Sequence, residues 1–276
     1  MRKLLLKMCG LGIIVASACL CYGFFIEPKT LKVRTIEFIE PGWEDERLTI
    51  ALISDIHIGS KHVDANRVSK IVERINTNKP DLVLIAGDFI GGHDKAVDRS
   101  AAFNDEVEKG ILALSNLDAP LGAYATIGNH DDWYDGATVK RFLLQAGVGV
   151  LDNSKKNIGS FCLVGLPDSW TGTADRNVFL QCGDRKIISF MHSPDSFKYM
   201  PTHTSLALAG HTHGGQINMP FVGRRVTATD IGRKFAYGRV DYYGIPGFVT
   251  AGIGTSMLPA RFRAPPEIVL ISVSGP

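Results

Sequence analysis

Hydrophobic residues along this chain fall into short runs separated by stretches of helical periodicity. Residues 48–54 are apolar at both alternating positions, the pattern of a strand buried on two faces, and 81–86 and 122–127 read as the next two strands. Between the first two, Val68, Ile71, Val72 and Ile75 recur at helical spacing, with Asp64 placed to cap the helix and Pro80 ending the unit. Val107, Ile111, Leu112 and Leu114 mark a second helix within 100–117, and a third occupies about 138–146, before Gly147. Strand candidates then come closer together, at 148–151, 161–166, 187–191, 205–209, 248–251 and 268–273. Three βα units followed by strand-rich sequence predict an α/β fold of layered mixed β-sheets flanked by helices. Residues 48–276 contain no linker and read as one domain. Residues 31–47 read as a polar connector, with Pro41-Gly42 a turn signal and the polar stretch running to Glu46.

The N-terminus departs from this pattern. Arg2, Lys3 and Lys7 precede 19 uncharged residues at 8–26, which Glu27 and Pro28 close. That length just crosses a bilayer as a helix. The basic flank would stay in the cytoplasm and the remaining chain would lie outside it. Residues 1–30 are thus expected to be a membrane anchor. A cleaved export signal stays open, because Ala16-Ser17-Ala18 fits a small-residue cleavage site, and so does a lipoprotein processed at Cys19. All three readings put the body of the chain at or beyond a membrane.

Composition adds bounds. A chain of 276 residues, 45% hydrophobic, can bury a large core, and a net charge of +2 gives no reason to expect nucleic acid as a partner. Cys9, Cys19 and Cys21 lie in or beside the apolar segment. Cys162 and Cys182 are expected as unpaired thiols, since two cysteines make no disulfide framework.

Candidate chemistry gathers where strands stop. The run 205–209 ends at Gly210, and His211 and His213 follow before Gly214-Gly215. Alternate strand positions share a face, and flanking glycines free the backbone, so both imidazoles can converge on one point as a ready-made pair of metal ligands. Other strand ends supply Asp55 and His57, Asp88, Asn129 and His130, and His192. In open α/β sheets ligands collect at the carboxyl ends of strands. Carboxylate, imidazole and one amide oxygen suit Mn²⁺, Fe or Zn²⁺, and the absence of cysteine argues against structural zinc. His62, His93 and His203 carry no motif and read as ordinary surface or loop histidines.

The blocks Asp55-x-His57, Gly87-Asp88, Gly128-Asn129-His130-Asp131, His192 and Gly210-His211-x-His213 follow one another across roughly residues 50–215. This order resembles the calcineurin-like metallophosphoesterases. The resemblance implies two divalent metal ions. Asp55, His57, Asp88 and His213 would hold one; Asp88, Asn129, His192 and His211 would hold the other, with Asp88 bridging. Cations roughly 3.5–4 Å apart need such an anionic bridge and can clamp both oxygens of an in-line displacement. His130, given no metal, would stabilise phosphoryl oxygens or protonate the leaving group. Protein phosphatases of this superfamily read G-D-x-x-D-R-G, whereas Gly91 and Gly92 stand here in place of the aspartate and arginine. That departure argues against a protein phosphatase and leaves the partner orienting His130 unidentified.

The apolar N-terminus, the run His213-Gly214-Gly215-Gln216-Ile217 and the tail Leu258-Pro259-x-Arg261…Pro266-Glu267-Ile268 resemble a bacterial membrane-associated phosphodiesterase branch. That branch includes enzymes of UDP-2,3-diacylglucosamine hydrolysis in lipid A biosynthesis and others acting on simple phosphodiesters. The resemblance implies a phosphodiesterase or pyrophosphatase on the bacterial inner membrane, its catalytic part outside the cytoplasm, acting on a membrane-associated or nucleotide-sugar lipid. Small soluble phosphodiesters or monoesters are the alternative substrates. Arg261 and Arg263 would be phosphate contacts, while Arg224, Arg225, Arg233 and Lys234 are either another anionic contact or a solvated basic loop. A non-catalytic binding protein of this fold would be expected to lack ligand residues, and all of them are present.

Overall fold

Strands buried on both faces demand a cover on each side, and the fold supplies it with two sheets packed face to face and helices outside. The computed structural model describes residues 2–41, 43 and 47–276, with the side chains of residues 2 and 4–6 left aside. Gly42, Glu46 and the Arg2 side chain therefore lie outside the described residues. In chain order, helix α1 (Arg2–Cys21) leads through short helical turns, Tyr22–Ile26 and Glu27–Lys29, into β1 (Lys32–Ile39). There follow β2 (Arg47–Ile53), α2 (Ala65–Thr77), β3 (Leu82–Ala86), α3 (Ala101–Leu112), β4 (Ala123–Thr126), α4 (Asn129–Gln145) and β5 (Gly149–Val150). The second half holds β6 (Ser154–Ile158), β7 (Phe161–Leu166), α5 (Asn177–Leu180), β8 (Lys186–Met191), β9 (Thr204–Ala209), β10 (Asn218–Met219), β11 (Gly223–Arg224), β12 (Gly238–Tyr242), β13 (Ile245–Val249) and β14 (Glu267–Ser274).

One sheet has the order β1-β14-β2-β3-β4-β5 and the other β12-β13-β9-β8-β7-β6, while β10 and β11 form a separate hairpin. Both large sheets are mixed: β14 runs antiparallel to β2, and β6 and β12 run antiparallel to their neighbours. Alternation along β2 shows how the layers are held. Ile50 and Leu52 join Leu206, Leu208 and Phe190 between the sheets, whereas Ala51 and Ile53 face Val68, Ile71 and Val107 of α2 and α3. Asp64 caps α2 by accepting from Arg67 N at 2.7 Å.

Four expectations need correction. Residues 31–47 are not merely connector: β1 pairs in parallel with β14 along its full length. Its charged residues Lys32, Arg34 and Glu37 hid it, but an edge strand keeps one flank in water and tolerates charge there. The edge strands β6 and β12, rich in Lys155, Lys156, Arg239 and Asp241, escaped notice for the same reason. Helix α4 starts at Asn129 rather than near residue 138, because a break at Asp135 splits it. Asp135 then caps the second part, accepting from Thr138 N at 3.1 Å and Thr138 Oγ1 at 2.7 Å.

Finally, Cys162 and Cys182 are bonded as a disulfide, since β7 and the turn after α5 bring their Cα atoms to 5.6 Å. Both lie in the apolar cluster on the outer face of the second sheet. The bridge closes a 20-residue separation, which removes unfolded-chain entropy. Cys162→Ala/Cys182→Ala is expected to lose roughly 3 kcal/mol of unfolding free energy, read by urea denaturation. An unchanged denaturation midpoint would contradict this.

Candidate metal centre

Every residue expected to bind metal projects from the same end of the two sheets. Asp55 and His57 follow β2, Asp88 follows β3, Asn129 opens α4, His192 follows β8, and His211 and His213 follow β9. All seven side chains are buried. Turning so many side chains inward bends the backbone into the left-handed region: φ is 52° at Asp55 and His57, 57° at Asp88, 69° at His211 and 52° at His213. Non-glycine residues hold that conformation only where surrounding structure enforces it, and such positions cluster at functional sites. Two glycines of the motifs are needed for closeness. A Cβ on Gly128 would lie 2.6 Å from Asp88 N, and one on Gly210 would lie 2.7 Å from Asp55 Oδ2.

The ligand atoms form two adjoining sets. His57 Nε2 lies 3.1 Å from His213 Nε2, which lies 3.5 Å from Asp55 Oδ1. His192 Nε2 lies 3.1 Å from Asn129 Oδ1 and 3.0 Å from His211 Nδ1. Asp88 Oδ2 stands between them, 3.7 Å from His57 Nε2 and 3.3 Å from His192 Nε2. Asp55–His57–His213 and Asp88–His192–His211 are two of three groups among the described residues whose donor atoms could share one ion. The third is His57–Asp88–His130.

Tautomers test the fit. His57 Nδ1 is bonded to Ile90 O at 3.0 Å and His192 Nδ1 to Ala86 O at 2.7 Å. A carbonyl can only accept, so each Nδ1 carries a proton, and each Nε2, once free of a second proton, turns a lone pair into the cluster. Asp55 Oδ1 is buried with no hydrogen-bond partner. Lone pairs crowded at these distances, with a buried carboxylate oxygen unpaired, fit divalent cations.

Electrostatics favour neutral imidazoles at His57, His211 and His213. Burial pushes His57 and His211 down to about 3 against the pull of Asp88. Burial, with His57 and Arg261 nearby, holds His213 well below the usual histidine range. His192 goes the other way: burial lowers it, but the carboxylates of Asp88, Asp55 and Asp168 together hold it well above the usual range. A cation bound beside Asp88 would compete with that proton.

The backbone around the site is tied by Asp131. Its carboxylate accepts from Asp88 N at 2.9 Å, Phe89 N at 2.7 Å, Ile90 N at 3.1 Å and Gly128 N at 2.9 Å. The loop after β3 and the start of α4 are thereby tied together. The fourth position of Gly128-Asn129-His130-Asp131 held this signal, an acid whose role the sequence left open.

His130 is oriented by a backbone carbonyl. Its Nδ1–H donates to Gly92 O at 2.6 Å, so Gly92 does what the missing aspartate would do. Its Nε2 lies 3.9 Å from Asp88 Oδ2 and 3.5 Å from Ser256 Oγ. Burial lowers its pKa and Asp88 partly restores it.

A cavity of about 400 Å³ opens over the cluster, with Asp88, Asn129, His130, His211 and His213 in its wall. Residues outside any motif complete it. Trp170 stands edge-on to His211 with ring centroids 4.9 Å apart, and its loop is pinned by Asp168, which accepts from Trp170 N at 2.7 Å. His93, read as an ordinary loop residue, packs against His130 at 4.7 Å and Trp133 at 5.4 Å and lines the cavity. His62 is buried rather than a surface residue.

The arginines differ from expectation. Arg261 is fully buried and donates to Gly254 O at 2.8 Å, Ala264 O at 2.8 Å and Ala251 O at 2.7 Å. It lies beneath His213, with Nη2 3.4 Å from Nδ1, and holds the C-terminal loop instead of meeting a phosphate. Arg263 is exposed and outside the cavity lining, and its N–H donates to the buried Glu27 at 2.9 Å. Arg225 is the arginine that lines the cavity.

Residues 48–215 match the family of calcineurin-like phosphoesterases. The metallophosphoesterase YkuE of Bacillus subtilis (strain 168) is 30% identical, over 96% of this chain and 93% of its own. A metallophosphoesterase of Aquifex aeolicus (strain VF5) is 29% identical over 80% of this chain and 83% of its own. The phosphodiesterase YaeI of Escherichia coli (strain K12) is 28% identical over 86% of this chain and 91% of its own. With the family's motifs closing on one buried donor cluster, the chain belongs to the calcineurin-like phosphoesterases and is a metal-dependent phosphoester hydrolase.

Proposed function

We propose that this hydrolase is a two-metal phosphodiesterase or pyrophosphatase of a lipid-linked substrate, a nucleotide-sugar lipid such as UDP-2,3-diacylglucosamine, with Mn²⁺ as a competent cation. The observation that carries the reading is the apolar mouth of the cavity. Trp170, Met219, Val226, Met257 and Leu258 line it, and these side chains are 45% to 91% exposed. Phe221, at the turn between β10 and β11, is fully exposed. Water-facing apolar rims of this kind mark sites that meet lipid or protein.

The N-terminal segment supports the same reading. Lys7–Lys29 is apolar and long enough to span a bilayer, as an anchor or a signal sequence would be. Its end joins the cavity wall through short links. Arg261 N donates to Gly23 O at 2.9 Å, Tyr22 meets Phe262 at 6.2 Å, and Asn218 N donates to Phe262 O at 2.8 Å. An anchored helix would thus hold the apolar mouth near the bilayer. The Cys162–Cys182 disulfide favours an oxidising compartment, outside the cytoplasm.

Bound divalent cations would supply Lewis acidity toward the phosphoryl group and an acidified water. The chain's own residues do the rest. Asp88 faces both ligand sets; Gly92 O accepts from the Nδ1–H of His130 and aims Nε2 toward the reacting side, where the ring in its doubly protonated form would stabilise phosphoryl oxygens or give the Nε2 proton to the leaving oxygen. Trp133 and Trp170 stand in the cavity wall beside His130 and His211.

The test compares full-length protein with a form lacking residues 2–21. The cut falls there because Gly23, Glu27 and Pro28 are buried against the body. Hydrolysis of a short soluble diester should be unchanged. Turnover of a lipid diphosphate embedded in vesicles should fall on the order of 10²-fold, through lost effective concentration. Equal turnover of the embedded lipid by both forms would overturn the lipid reading while leaving the metal-dependent hydrolase in place.

A further inference from the structure

A second concavity lies where the apolar segment meets the body, and it has no lining residue in common with the metal-site cavity. It measures about 480 Å³, and Lys29, Lys61, Arg67 and Lys70 line it together with Ser60 and His62. Among the described residues Asp64 is the one carboxylate of the lining, and its Oδ1 is taken by the cap of α2.

Charge alone would describe a solvated basic face, but three buried polar atoms here lack partners. Ser60 Oγ, His62 Nδ1 and Arg67 Nε have no hydrogen-bond partner among the described residues. The rest of each residue is engaged. His62, 8% exposed, bonds Pro259 O through Nε2 at 3.0 Å. Arg67 uses Nη1 and Nη2 on Lys29 O and Pro28 O, at 3.2 and 3.4 Å. Ser60 N donates to His57 O at 3.1 Å. Unpartnered buried donors are costly, and two of them, the Ser60 hydroxyl and the Arg67 Nε–H, beside three lysines have the chemistry of an anion site. The hydroxyl, the guanidinium N–H and the lysines match phosphate oxygens.

We propose that this basin binds a phosphate group, carried by an anionic phospholipid headgroup or by free phosphate. Arg67 Nε and Ser60 Oγ donate to it, and Lys29, Lys61 and Lys70 supply the remaining charge. Its position favours the headgroup. Lys29 is the last residue of the apolar segment, and Lys61 Nζ lies 5.2 Å from the ring of the exposed Phe25 within that segment. Basic residues just beyond a span meet anionic headgroups. The site lies outside the active site, and its occupancy does not depend on what the enzyme hydrolyses.

The experiment uses the full chain in neutral detergent, titrated with short-chain phosphatidylglycerol, phosphatidylcholine or inorganic phosphate, with bound ligand counted by native mass spectrometry. The comparison protein is Lys29→Gln/Lys61→Gln/Lys70→Gln, three exposed positions whose loss leaves the fold and soluble-diester hydrolysis intact. Each lysine removed should lower affinity about fivefold, so the triple variant binds phosphatidylglycerol on the order of 10²-fold more weakly. Tight phosphatidylglycerol binding that inorganic phosphate does not displace assigns the basin to lipid. Displacement by inorganic phosphate assigns it to free phosphate. Equal binding by both proteins, or phosphatidylcholine bound as tightly as phosphatidylglycerol, overturns the proposal.

Discussion

Asp88→Asn should abolish most phosphodiester hydrolysis and lower the metal content of the purified protein. Asp88 is the one carboxylate whose oxygen faces both donor sets, 3.7 Å from His57 Nε2 and 3.3 Å from His192 Nε2. Asparagine keeps the shape and can still accept from His130 N, as Asp88 Oδ1 does at 3.0 Å. It removes the negative charge that offsets repulsion between two neighbouring cations. The expected loss is at least about 10³-fold in kcat/KM, several kcal/mol of transition-state stabilisation. Elemental analysis beside the rate measurement checks it. Chelation of the native protein should reach the same low activity, and added Mn²⁺ should restore it for the native chain and not for the variant. Native-like activity in Asp88→Asn with both metals retained would remove Asp88 from the centre.

Much of this centre was legible in the sequence because strand ends impose it. Once 48–54, 81–86 and 205–209 are read as buried strands, the residues after them must emerge at sheet ends, where Asp55, His57, Asp88, His211 and His213 are found. What stayed hidden has physical causes. β1, β6 and β12 are edge strands, with charge where interior strands carry apolar residues. His93, Trp133 and Trp170 reach the cavity from segments with no periodic signal. Arg261 looked like a phosphate ligand because arginine near a motif usually faces solvent. Here four donor contacts to carbonyls use its guanidinium inside the fold, where burial pushes it down to about 10, still cationic at neutral pH. The partner of His130 could not be read from side chains at all, since it is a backbone carbonyl, Gly92 O.

That carbonyl shapes what His130→Ala should do. Gly92 O fixes Nδ1 as the protonated nitrogen and leaves Nε2 facing Asp88 Oδ2 at 3.9 Å, at the cavity wall. From there it can reach a phosphoryl or leaving-group oxygen, whereas the shortest donor contacts, near 3 Å, belong to His57–His213 and His192–Asn129–His211. Alanine should therefore lower kcat by about 10²–10⁴-fold, the usual contribution of a general acid–base group. Both cations should remain bound. The rival role is real, because His57, Asp88 and His130 also place donor atoms within reach of one ion. Metal content separates the two: a variant that loses one cation makes His130 a ligand, and one that keeps both while turning over slowly makes it the group that meets the phosphoryl oxygens. The leaving group supplies a second readout. If His130 gives up a proton to the departing oxygen, His130→Ala should be least damaged on diesters of acidic phenols, which leave without help, and most damaged on alkyl esters. An equal loss on both classes would leave only stabilisation of the phosphoryl oxygens.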